Sequence, residues 1–335
     1  MLSIFTRAAK SDFGAGITIA LLSLTYALSY GALLFSSPEL SPYISYTIGA
    51  SLITTIVTVL VVSLLSGIRF SIAGPDSNTV AVLASFIVVL SQSAGQTGLQ
   101  GKELALFSLS GLCLATLLTA LTMFLMGRFR LGNIVRFVPV SVAGGFLAAA
   151  GCLMMNGAFY LATGLTLPNL LTSDYSELQT LKLVGLFGLA LFFWALTRYS
   201  ASQMALPFGI FFSIFVIHGI LSYQGISVAE AQDLGLLLNG GGQAEVFFPP
   251  LDGVFTAELA AVFIGFLPEL IVTVTVTALS ILLIIAGIEI DKNIDSDLNH
   301  ELKIHGYAIG LSGVLGGFIG LVSLSRSLLN AGKQS

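Results

Sequence analysis

Charge is what this 335-residue sequence has least of. Asp, Glu, Lys and Arg together make up 9% of it, against about 25% in a soluble domain. A soluble chain this poor in charge could not cover its surface, so a pair of ordinary soluble domains is excluded. Thirteen basic against seventeen acidic residues give a net charge of −4. That balance leaves no basic patch for nucleic acid. Cysteine is scarce as well. Cys113 and Cys152 each lie inside an apolar run and read as free thiols packed like small hydrophobes; a metal site would need clustered ligands. No Gly-x4-Gly-Lys-Ser/Thr loop is present, which argues against ATP-driven pumping by this chain. No cofactor is expected.

What the sequence has in abundance is apolar length. Hydrophobic residues make up 56%, with 36 glycines and 24 phenylalanines, and the mean hydropathy is +0.97. This is the composition of an all-α polytopic membrane protein. Apolar runs of spanning length occur at 13–35, 43–66, 104–126, 137–163, 183–200, 204–222, 268–288 and 304–321. The first is too long for a signal-peptide core and lacks a small-x-small cleavage site. Basic residues set the orientation. With a cytoplasmic N-terminus, Arg7, Lys10, Arg69, Arg128, Arg130, Arg136, Arg198, Lys292 and Lys303 fall inside, and only Lys102 and Lys182 outside. The reading places the chain in the cell (inner) membrane. The loop around Asn239-Gly240-Gly241-Gly242 reads as a connector between two halves.

Two further segments are shorter. One runs from Gly74-Pro75 to Ser91, the other from Ser325 to Ser335. Each follows a stretch that looks extended, 70–74 and 321–324. The orientation count holds only if the first crosses from mid-membrane outward and the second from mid-membrane inward. Interrupted segments in matching positions and of opposite direction mark an inverted repeat. The expected organisation is a first repeat over 1–225, an outer connector over 226–257 and a partial second repeat over 258–335. Seven helices in the first half imply seven in the second. The chain is therefore expected to stop inside the tenth helix, and 1–335 alone to insert without transporting.

The interrupted segments carry the polar chemistry. Proline suits a helix's first turn, and Asp76, Ser77 and Asn78 follow Pro75. The second segment opens Ser323-Leu324-Ser325-Arg326-Ser327. Two helix starts meeting end to end contribute roughly one positive charge, and Arg326 adds another. That combination selects anions. Plainer alternatives are a proline-kinked helix start with Asp76 in solvent, and a serine-rich cap with an anchoring arginine.

Four motifs together resemble the sulfate permease (SulP) family of anion transporters. Ser11-Asp12-Phe13-Gly14-Ala15-Gly16 resembles its Asp-x-x-Ala-Gly opening of the first helix. Ala73-Gly74-Pro75-Asp76 is similar to its Gly-Pro-Asp at the third. Asp297-Leu298-Asn299-His300-Glu301-Leu302 with Gly306 resembles its Asp-x-Asn-x-Glu-Leu loop before the ninth. Ser325-Arg326-Ser327 with Asn330 looks like its start of the tenth. The resemblance implies seven plus seven inverted helices, and an anion held between the N-termini of helices three and ten. It implies transport of small inorganic anions such as sulfate, bicarbonate or chloride by alternating access, and a homodimer in the full-length protein. The implied binding residues are Tyr26, Tyr30, Asp76, Ser77, Ser280, Ser325, Arg326 and Ser327. The match is imperfect. Thr25-Tyr26 stand where the family carries Pro-Gln. Ser280 stands where proton-coupled members carry glutamate, which excludes proton coupling through that position. Ile284-Ile285-Ala286-Gly287-Ile288-Glu289 resembles a divergent branch that includes carriers of organic or basic solutes.

Other residues read more plainly. Glu269, after Pro268, complements a helix dipole. His218 reads as packed or hydrogen-bonded. Gly313, Gly316, Gly317 and Gly320 suggest close helix packing. Gly310-Leu311-Ser312-Gly313 matches rhomboid proteases, yet no histidine follows Ser312 to act as its base. An enzyme is not expected. An anion channel, or a scaffold that keeps the fold without transport, remains an alternative.

Overall fold

An apolar run in lipid must satisfy its own backbone, so it closes into helix. The computed structural model describes residues 2–96, 98–133, 140–164, 176–200, 205–237 and 265–334. Among these residues the chain forms α1 (Leu2–Leu34), α2 (Ile44–Leu65), α3 (Ser77–Gln96), α4 (Gly101–Arg128), α5 (Val140–Thr163), α6 (Glu177–Tyr199) and α7 (Ala205–Tyr223). It continues with α8 (Leu267–Lys292), α9 (Leu298–Val314) and α10 (Leu324–Gln334). A short helix, Val228–Asp233, lies between α7 and α8. Among the described residues six helices are long and apolar enough to cross a membrane. The multi-pass, all-α expectation holds. Arg136 and the Asn239–Gly242 connector lie outside the described residues.

Some boundaries differ from the apolar runs. α1 begins eleven residues before 13, because nothing in 2–12 breaks a helix. α3 runs on to Gln96, about 30 Å at 1.5 Å per residue. The largest difference concerns 304–321. The helix there is α9, started early by Asp297, whose Oδ1 accepts from Asn299 and His300 N–H at 2.9 and 3.2 Å. It stops at Val314, and Gly316 follows with φ +87. The rest of the run is extended. Gly317 and Gly320 therefore lie against α2 at Thr54, while Gly313 packs on α4 at Thr116.

Two short strands bridge the interruptions. Ala73–Gly74 pairs antiparallel with Leu321–Val322, in the register Ala73 to Val322 and Gly74 to Leu321. Ser323 N–H extends the ladder to Ile72 O at 2.8 Å. Each broken helix thus supplies the hydrogen bonds that the other's irregular backbone lacks. Side chains hold the rest. Thr54 Oγ1 accepts from Phe318 N–H at 2.7 Å, and Ser312 Oγ donates to Phe318 O at 2.9 Å. The Ser312 hydroxyl is therefore occupied as a brace, fully buried against α2.

The loop motif before α9 fastens the same region. Glu301 is buried and accepts from Ser66 Oγ and from Gly67 N–H at 2.7 Å. Asn299 Oδ1 accepts from Gly132 N–H at 2.9 Å, and a His300 ring nitrogen lies 3.1 Å from Leu65 O. Buried His305 takes Val322 N–H on Nε2 at 3.1 Å, so its Nδ1 carries the proton toward Glu301 O at 2.8 Å. α9 is flush against α4: a Cβ on Gly306 would lie 2.7 Å from Phe124 backbone. These contacts gather the α2 end, α4 end and α9 start at one end of the bundle. Arg69, Arg128, Arg130 and Lys303 belong to it.

Candidate functional site

α1 presents Ser23, Tyr26 and Tyr30 at helical i, i+3, i+7 spacing on one face. The two tyrosine rings stack, with centroids 5.7 Å apart and planes 7° apart. They face the place where the α3 and α10 starts approach. A cavity of about 530 Å³ opens there, lined by Tyr26, Tyr30, Asp76, Ser77, Asn78, Ser323, Ser325 and Arg326, with Pro75, Ile284, Leu324 and Leu328.

Arg326 is the centre of the arrangement. It is 2% exposed. Nη2 donates to Pro75 O at 3.1 Å and Nη1 to Ser23 Oγ at 3.3 Å. The guanidinium lies 5.5 Å from the Tyr26 ring centroid, in cation–π range. Among the described residues its buried Nε has no hydrogen-bond partner. Gly74 makes this possible: a Cβ there would sit 2.6 Å from Nη1. An orphan donor on a buried cation, at a helix start, favours a negative group in the cavity.

The two helix starts are not equivalent. At α3, Asp76 Oδ2 accepts from Asn78 N–H at 3.0 Å and lies 3.5 Å from Thr79 N. Asp76 thereby caps its own helix and occupies the donors that an anion would use. At α10 the Ser323 hydroxyl lies 3.4 Å from the Ser325 hydroxyl, and among the described residues no side chain caps the first N–H groups. No ion pair within 4.0 Å links Asp76 to Arg326.

Six of the eight expected residues line one cavity: Tyr26, Tyr30, Asp76, Ser77, Ser325 and Arg326. Two stand apart. Ser327 is fully buried and turned to the strand pair, where its Oγ accepts from Ile72 N–H at 3.0 Å. Ser280 is buried behind Asn78 and lies 3.4 Å from Asn78 Nδ2. Thr25 bonds its own helix at Leu21 O. Ser23, Asn78 and Ser323 were not among the expected binding residues. The helical spacing of Ser23 with Tyr26 and Tyr30 carried a usable signal; Ser323 and Asn78 simply flank residues already singled out.

Of the plainer residues, His218 bonds Ile214 O at 3.0 Å through Nδ1. Cys113 is buried with Sγ 3.5 Å from Gly313 O, and Cys152 is exposed. Glu269 sits in the first turn of α8.

Two interrupted helices, paired through their extended entries and opening onto a central polar cavity, define a class: multi-pass membrane proteins with broken helices. The chain matches the sulfate permease family over residues 10–334. It belongs to that family of anion transporters. A search of curated proteins returned no match. Among solved structures the chain is similar to the transmembrane domain of a cyanobacterium bicarbonate transporter, BicA. The TM-score is 0.67 at 17% identity, covering 98% of this chain and 77% of that one.

Proposed function

We propose that this protein is a secondary active transporter, a symporter or exchanger of small inorganic anions such as sulfate, bicarbonate or chloride, working by alternating access. The observation that carries this is Arg326: a buried cation with an orphan Nε, at an uncapped helix start, in a cavity large enough for a hydrated anion. The solute sits against the α10 start, touching Ser325 and Arg326, with Ser77, Tyr26 and Tyr30 around it. Ser280 acts through Asn78, and Ser327 fixes the helix entry without touching solute.

The division into 1–225, 226–257 and 258–335 fits this mechanism, with α3 and α10 as the matching broken helices of the two repeats. We assign the basic end of the bundle to the cytoplasm, which puts the N-terminus inside in the cell membrane. A homodimer is the proposed assembly.

Equilibrium anion binding to the purified protein is the test. Arg326→Gln is expected to weaken it by well over tenfold, which is more than about 1.4 kcal/mol. Undiminished binding removes the proposal. A second reading, carriage of an organic or basic solute, draws on Asp76, a carboxylate in the same cavity. It prevails if Asp76→Asn abolishes all solute binding while Arg326→Gln does not. Saturable, counter-substrate-stimulated flux in liposomes separates a carrier from an anion channel.

A further inference from the structure

We propose that Asp76 is a specificity-determining residue that demands a hydrogen-bond donor on the transported anion. This rests on the anion site proposed above and narrows what that site accepts.

Two unlike charges line one cavity and do not pair. Among the described residues Arg326 contacts only neutral groups, the Pro75 carbonyl, the Ser23 hydroxyl and the Tyr26 ring. Asp76 is the very next residue after Pro75, yet its carboxylate contacts only backbone N–H groups of its own helix. Among the described residues no side chain donates to it. The Pro75 carbonyl, bound by Nη2, stands between the two charges along the chain. Unlike charges held apart near a polar cavity are a costly arrangement unless a third group completes it. A solute completes it when its negative end faces Arg326 and the α10 start and a donor faces Asp76.

A donor-free anion meets a different field. It gains Arg326 and the α10 start but must face a carboxylate that has taken the α3 donors. Like charges at such range repel strongly where water is excluded. The class selected is therefore an anion that bears its own O–H or N–H. A hydroxylated oxyanion and an amino-acid zwitterion share that chemistry. Ser280 matters here too: it is neutral and tied to Asn78, so Asp76 is the carboxylate presented to the solute.

The experiment compares three probes on the purified protein by equilibrium binding: nitrate without a donor, bicarbonate with a hydroxyl, glycine with an ammonium. The wild-type protein is expected to bind bicarbonate or glycine at least tenfold more tightly than nitrate. Which of the two wins identifies the donor. Asp76→Asn keeps the helix cap, because Asn and Asp cap about equally. It is expected to shrink the ratio to below threefold and to tighten nitrate. Asp76→Ser, also a capping residue, is expected to do the same. A ratio unchanged in both variants overturns the inference. If Arg326→Gln still lowers nitrate binding in that case, the anion site stands and only the donor requirement falls. If none of the probes binds, the anion site falls and the inference with it.

Discussion

Arg326 and Gly74 act as one unit at the scale of single residues. The guanidinium lies where a Cβ on residue 74 would be, and it is pinned by Pro75 O and Ser23 Oγ. Gly74→Ala must displace a group that has two hydrogen bonds and little room to move. The expected result is anion affinity reduced by about tenfold, ~1.4 kcal/mol, with the protein still folded and membrane-inserted. Binding equal to wild type would show that the guanidinium's position is not what holds the anion. His305 has a different job. It accepts the buried Val322 N–H inside the strand pair. His305→Phe leaves that donor unsatisfied, at about 1–3 kcal/mol. A clear fall in Tm is expected for His305→Phe, with partial recovery for His305→Gln, which restores an acceptor.

Elements here are organised by where backbone hydrogen bonds run out. α2, α4 and α9 pack through hydroxyl and glycine faces. Thr54, Thr58, Thr116 and Thr119 turn their hydroxyls back to carbonyls of their own helices, so they can be buried between helices at little cost. The interrupted α2–α3 and α9–α10 connections have no such self-sufficiency and must borrow. Glu301 supplies one acceptor across the break, at Gly67 N–H. Glu301→Gln keeps the size but loses the charge, and is expected to lower Tm while leaving the selectivity among bound anions unchanged. A change in selectivity would mean that this network reaches the cavity.

This explains what the sequence made legible. Helix number followed from apolar length, and the two breaks followed from Gly74-Pro75 and Ser323–Ser327. The helix starts drew attention to Asp76, Ser77, Ser325 and Arg326, which do line the cavity, and the family resemblance added Tyr26 and Tyr30. Side-chain direction was not legible. Ser327 stands next to Arg326 in sequence, yet faces the strand pair while Arg326 faces the cavity. The end of α9 was missed because Gly316-Gly317 interrupt a run that stays apolar to Leu321. Hydropathy cannot distinguish a helix from buried extended chain whose backbone is satisfied by neighbours.

The whole molecule divides into a packed body and a looser flank. α1–α4 pack with α8–α10, whereas α5–α7 touch that body through α5 on α3 and α1 and through α7 on α1. α6 and α7 expose Leu191, Trp194, Phe208 and Phe215, each more than half accessible, as suits helices whose outer face is lipid. A cavity of about 390 Å³ separates α5 from α3, lined by Val89 and Asn156 among others. Alternating access predicts that this boundary moves. With Cys152 replaced, cysteines at 89 and 156 joined by a short bismaleimide in the full-length protein should cut flux by more than about tenfold while leaving anion binding intact. Flux that survives the linkage would place the moving boundary elsewhere. The central claim is that an anion rests at the α10 start beside Arg326. A structure with bound bromide or selenate, located by anomalous scattering, tests it most directly. A peak is expected within about 3.5 Å of the Ser325 or Arg326 N–H groups or of the guanidinium, lost in Arg326→Gln. A peak that persists in that variant, or lies only in the cavity between α3 and α5, would contradict it.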